Sequence, residues 1–90
     1  MASLPIPAKM YFDDFSFDLV TYSIKRDSKI IASAQGLSNR GSSGPYISFL
    51  IDTDIDVNDV LITADDENFI VTRVSYDTYN GERELIKAYY

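Results

Sequence analysis

Phe69-Ile70-Val71-Thr72-Arg73-Val74-Ser75-Tyr76-Asp77-Thr78-Tyr79-Asn80-Gly81-Glu82-Arg83-Glu84-Leu85-Ile86-Lys87-Ala88-Tyr89-Tyr90 decides the fold. Apolar residues alternate with polar ones on both sides of Asn80-Gly81, the pattern of two strands joined by a tight turn. A two-residue loop would set Asp77 opposite Glu84, a repulsive pair, and mix Lys87 with Val74 on one face. A three-residue loop, Tyr79-Asn80-Gly81 with Gly81 in a left-handed bulge, pairs Asp77 with Arg83 and Val74 with Ile86. It collects Ile70, Thr72, Val74, Ile86, Ala88 and Tyr90 on one face, and Arg73, Asp77, Arg83 and Lys87 on the other. Register follows the face that can be buried, so the three-residue loop is expected, with Asn80 and Gly81 as its structural turn.

The same period of two runs through most of the chain. Phe15, Phe17 and Leu19 alternate with polar residues before Val20, Tyr22 and Ile24 take up the other parity, which predicts a long strand with a bulge near Leu19-Val20. Further strands are expected over Ser28–Ala34 (after a turn around Lys25–Asp27), Tyr46–Thr53, Val60–Thr63, Phe69–Tyr76 and Arg83–Tyr90. Only residues 9–14 suggest a short helical turn. Residues 35–45 hold three of the four glycines and read as one long mobile loop. Residues 1–9, with Pro5 and Pro7, read as an extended arm ahead of a single β domain over residues 10–90. The expected fold is all-β: a small, partly open barrel or compact sandwich of five to six mainly antiparallel strands.

Composition narrows the chemistry. The chain has 90 residues, no Cys and no His, which removes disulfides, thiolate and imidazole catalysis, and Cys/His zinc sites. A net charge of −6 speaks against binding a nucleic-acid backbone, which needs clustered Lys and Arg. Eight of the fourteen acids lie in Asp52–Asp59, Asp65–Glu67 and Asp77, which predicts negative charge gathered on one rim. Met1–Pro7 lacks the basic and apolar regions of a signal peptide, and no apolar run approaches a membrane span of roughly 20 residues. A protein of the cytoplasm, or of an assembly formed there, is expected.

The run Asp52-Thr53-Asp54-Ile55-Asp56-Val57-Asn58-Asp59 begins like a calcium loop. It departs from that pattern at Val57, where Gly is needed, and at Thr63, where a bidentate Glu should stand. The plainer reading is a strand end with Ile51, Ile55 and Val57 inward and the aspartates in water. Asp65-Asp66-Glu67-Asn68 reads as a polar hairpin loop. Serines are plentiful, but no His activates them, and no specific Ser–Lys pair stands out among Lys25, Lys29 and Lys87. No nucleophile-elbow or phosphate-loop spacing occurs. No catalytic, cofactor or metal residue is therefore assigned, and a non-enzyme is expected.

The seven tyrosines point toward partners, because Tyr offers large contact area at low entropic cost. The expected contacts are Leu4, Pro5, Ile6, Pro7 and Tyr11 at the arm, Leu37, Asn39 and Arg40 in the loop, and Tyr79, Tyr89 and Tyr90 at the C-terminal edge. Ile55–Ile62, an acidic turn and Phe69–Val74 together resemble the rhythm of small β-barrel head-closure (stopper), head–tail joining and tail-completion proteins of tailed bacteriophages. Asn58 stands where that rhythm has Gly. The resemblance implies a non-enzymatic virion protein in a homo-oligomeric ring around the DNA channel, its ring neighbours held through arm and edge strands and its long loop 35–45 reaching into the channel or onto the adjoining portal, adaptor or tail ring. It implies no specific nucleic-acid binding and no membrane. The alternative is an acidic binding module, of inhibitor or immunity type, covering a basic partner surface, or a carbohydrate- or peptide-binding β domain.

Overall fold

Among the described residues, turns divide the chain into seven strands: β1 (Val20–Arg26), β2 (Lys29–Gly41), β3 (Gly44–Leu50), β4 (Val60–Ile62), β5 (Asn68–Ile70), β6 (Arg73–Tyr79) and β7 (Glu82–Tyr89). A seven-residue helix, α1 (Ala8–Asp14), starts directly after Pro7, where a fixed φ favours helix entry. This computed structural model describes residues 7–14 and 18–90, apart from the side chains of Ala8 and Tyr11. The expected arm residues 1–6 and Phe15–Phe17 lie outside the described residues, while Ala8 and Lys9 belong to α1 rather than to an arm.

All strand pairs are antiparallel, in the order β5-β4-β1-β2-β3-β7-β6, within one sheet curled into a half-barrel. Strand β2 turns the corner. Its residues up to Gly36 pair with β1, and Leu37–Gly41 pair with β3. Gly36 makes the crossing possible: a Cβ there would lie 2.6 Å from Ile47 Cγ2 and 2.8 Å from Phe49 Cε1. The core fills the curl, with Tyr22, Ile24 and Leu61 from the first half against Ile47, Phe49, Ile86 and Ala88 from the second. Tyr22 packs edge-on against Phe49 and Phe69, at centroid distances of 5.8 and 6.3 Å.

Several expectations change. The stretch 35–45 is a hairpin rather than a long loop: Gly41 pairs with Gly44 across Ser42-Ser43, and Ser38 and Arg40 are exposed beside buried Leu37 and half-buried Asn39. The polar residues there form the outward parity of a strand. The last hairpin has a two-residue turn, with Asn80 at φ 52° and Gly81 at 83°, and Tyr79 opposite Glu82. A bulge at Glu84 then shifts the register, so Asp77 faces Leu85 and Val74 faces Ala88. The turn and the apolar face are thus reconciled by one extra residue instead of a longer loop. Arg83 moves to the other face as a result, over the Tyr76 ring at 4.4 Å.

The expected strand Phe69–Tyr76 is split into β5 and β6. The break at Val71-Thr72 buries Val71 and leaves Ile70 and Thr72 exposed, because Val71 turns inward to exchange backbone bonds with the 58–59 segment. Ile55 is buried as expected, but Ile51 and Val57 are exposed, since the segment after β3 is a series of turns without strand alternation. The bulge in β1–β2 falls at Ile24/Lys25, not at Leu19-Val20.

Candidate functional site

Cross-strand partners share a face, so the register lays out the surface. On the outer face of the first half, Ile30, Lys25, Val60 and Ile70 form one row across β2, β1, β4 and β5. Ile30 and Ile70 are each 58% exposed, and Val60 and Lys25 are half-buried. Ile31, the extra residue of the β2 bulge, and Ile62, opposite Ser23 and Asn68, extend the apolar surface. Sequence reading missed this row because each isoleucine passes as a core residue until the register is known.

The outer face of the second half is closed by other means. Phe12 of α1 packs with Leu85, Leu19 and Leu50. Lys87 Nζ lies 3.3 Å from Asp77 Oδ1 and 5.3 Å from the centroid of Tyr46, while Arg73 stacks 4.1 Å above Tyr89. Tyr46 and Tyr89 meet at 5.2 Å. Burial disfavours the Lys87 ammonium, but Asp77 outweighs it and holds the amine above its ordinary pKa. Ser48 is the cross-strand neighbour of Lys87, yet it is fully buried and Lys87 is held protonated, so the pair has neither an accessible nucleophile nor a base.

Within the acidic run, Asp59 departs from the expected solvated aspartates. It is 2% exposed and accepts two bonds from Arg26, from Nε at 2.9 Å and Nη2 at 2.8 Å, and one from the Asp56 amide at 2.8 Å. The Arg26 bonds pull its carboxyl below the ordinary range. Asp54, 71% exposed, shares Arg26 at 3.2 Å. The run therefore clasps the end of β1. No group of three or more metal-ligating side chains occurs among the described residues.

A groove of about 410 Å³ opens beside this clasp, between Ala32–Gln35 of β2 and Leu50, Asp52, Thr53 and Asp54. It exists because β3 leaves β2 at the corner. Ala32–Gln35 pair with β1 on one side, and no described strand pairs with their other side. A second hollow, of about 310 Å³, lies beside Pro7, Lys9, Leu50, Ile51, Asp52 and Glu84.

The residues expected at partner contacts are scattered. Leu4, Pro5, Ile6 and the Tyr11 side chain lie outside the described residues, and Pro7 is half-buried before α1. Leu37 is buried, Asn39 donates from Nδ2 to the Leu37 carbonyl at 3.3 Å, and Arg40 is exposed. Tyr89 is largely buried under Arg73, Tyr90 packs on Phe69 at 4.6 Å, and Tyr79 is half-buried at the hairpin end. The aromatics mainly finish the fold. Comparison with protein-family models, curated proteins and solved structures finds no match. No helix among the described residues is long and apolar enough to cross a membrane.

Proposed function

We propose that this chain is a non-enzymatic assembly protein, a ring-forming component of the head–tail interface of a tailed-phage or prophage virion. The row Ile30, Val60 and Ile70 on the outer face of the first half carries the reading. Apolar side chains on β2, β4 and β5, with Lys25 between them on β1, favour association of this small acidic domain, since burying them against a neighbour removes that area from water. The sheet also ends differently at its two sides, on three-residue β5 and on seven-residue β6. Unlike ends suit the head-to-tail contacts that close a ring. The virion setting rests on the rhythm of residues 50–76. The alternative, an acidic module covering a basic partner, draws on the exposed Asp65–Glu67 turn.

Light scattering across a concentration series tests the proposal. The expected result is a discrete oligomer that Ile30→Lys with Ile70→Lys reduces to monomer without loss of folding. A strictly monomeric chain that binds one basic partner would favour the acidic module.

A further inference from the structure

The side of Ala32–Gln35 that no described strand pairs is a strand edge inside the groove, with a hydrogen-bonding backbone and, at Ala32, Ser33 and Ala34, small side chains. Ala32 and Ala34 are half-buried, and Ser33 and Gln35 are exposed. Four residues of strand give an edge roughly 13 Å long, against which another extended chain can lie at the usual spacing of about 4.8 Å. The opposite wall is acidic: Asp52 and Asp54 are both exposed, and Asp54 is the partner that Arg26 holds at the longer distance. We propose that this groove receives an extended, basic segment of a partner protein, added as a strand to β2 with a Lys or Arg against Asp52 and Asp54. Main-chain bonds to Ala32–Gln35 supply the strand addition, and the acidic wall selects the charge. The exposed Asp52 and Asp54 disfavour an occupant strand of like charge. The inference goes beyond association through the Ile30–Ile70 row and does not depend on it.

The test titrates the full chain with a short peptide of alternating Val and Lys, with its Val–Glu counterpart, and with the Val–Lys peptide N-methylated along both edges. Binding is read by fluorescence anisotropy and by amide hydrogen exchange. The Val–Lys peptide should bind and slow exchange at Ala32–Gln35, while both other peptides fail. Asp52→Asn, on an exposed turn, should weaken binding roughly tenfold, as loss of one charge-assisted contact does. Ile30→Lys with Ile70→Lys should leave the peptide result unchanged, which separates this site from the association face. No binding, equal binding of the Val–Glu peptide, or protection confined to β5 or β6 would overturn the proposal. So would slowed exchange at Ala32–Gln35 produced by raising chain concentration alone, which would make a second copy the occupant.

Discussion

Outward from β2, the first half of the sheet runs β1, β4, β5 and the second runs β3, β7, β6, so the first half holds the β1–β2 hairpin with β4 and β5 beyond it, and the second holds β3 with the β6–β7 hairpin beyond it. Each long hairpin has a two-residue turn with both residues at positive φ, Asp27-Ser28 in one and Asn80-Gly81 in the other. Each also carries a bulge a few residues later on its second strand, at Ile31 and at Glu84. The halves differ on their outer faces. The second is covered by α1 and by the Lys87–Asp77 and Arg73–Tyr89 contacts, whereas the first presents Ile30 and Ile70 to solvent. Similar backbones thus share one core and differ in their outer faces, one covered and one open to solvent.

The joint between the halves is the most sensitive point. Gly36→Val should cost about 3 kcal/mol, because the added carbons meet Ile47 and Phe49 and force the halves apart. Urea denaturation measures it, and an unchanged midpoint would break the picture of a shared core. Next in size is Gly81→Val, which places a β-branched residue at φ 83° and should cost about 1–2 kcal/mol. Thermal melting of that variant checks the turn that sets register in the second half.

The halves should also differ in pH response. Asp59 has a depressed pKa, so its contribution is present above the unfolded value and is lost as pH falls through the folded one. Lys87 has a raised pKa, so its contribution is present below the unfolded value and is lost as pH rises through the folded one. Asp59→Asn should therefore flatten the acid limb of a stability–pH curve, and Asp77→Asn the alkaline limb. Smallest of all is the effect of Ile30→Lys and Ile70→Lys on folding, less than about 0.5 kcal/mol each, because both side chains are already mostly in water.

The all-β fold was legible from period-two alternation and from Asn80-Gly81. The bulges were not, because one extra residue changes face parity without leaving a compositional mark; the conflict between turn and face at Asp77 and Glu84 was the available signal. Residues 35–45 were misread because Gly and Ser serve as readily at a strand crossing and a two-residue turn as in a loop. Asp59 was hidden among solvated aspartates, since its partner Arg26 is 33 positions away in the chain. The groove follows from where β3 parts from β2, a tertiary event that no local pattern encodes.

We propose that neighbours associate on the uncovered outer face of the first half. Amide hydrogen exchange at low and high protein concentration tests it most directly, with both halves read in one experiment. Association through that face slows exchange in β4, β5 and the tip of the β1–β2 hairpin as concentration rises and leaves β3 and β7 unchanged. Protection confined to the second half, or no dependence on concentration in either, would contradict it.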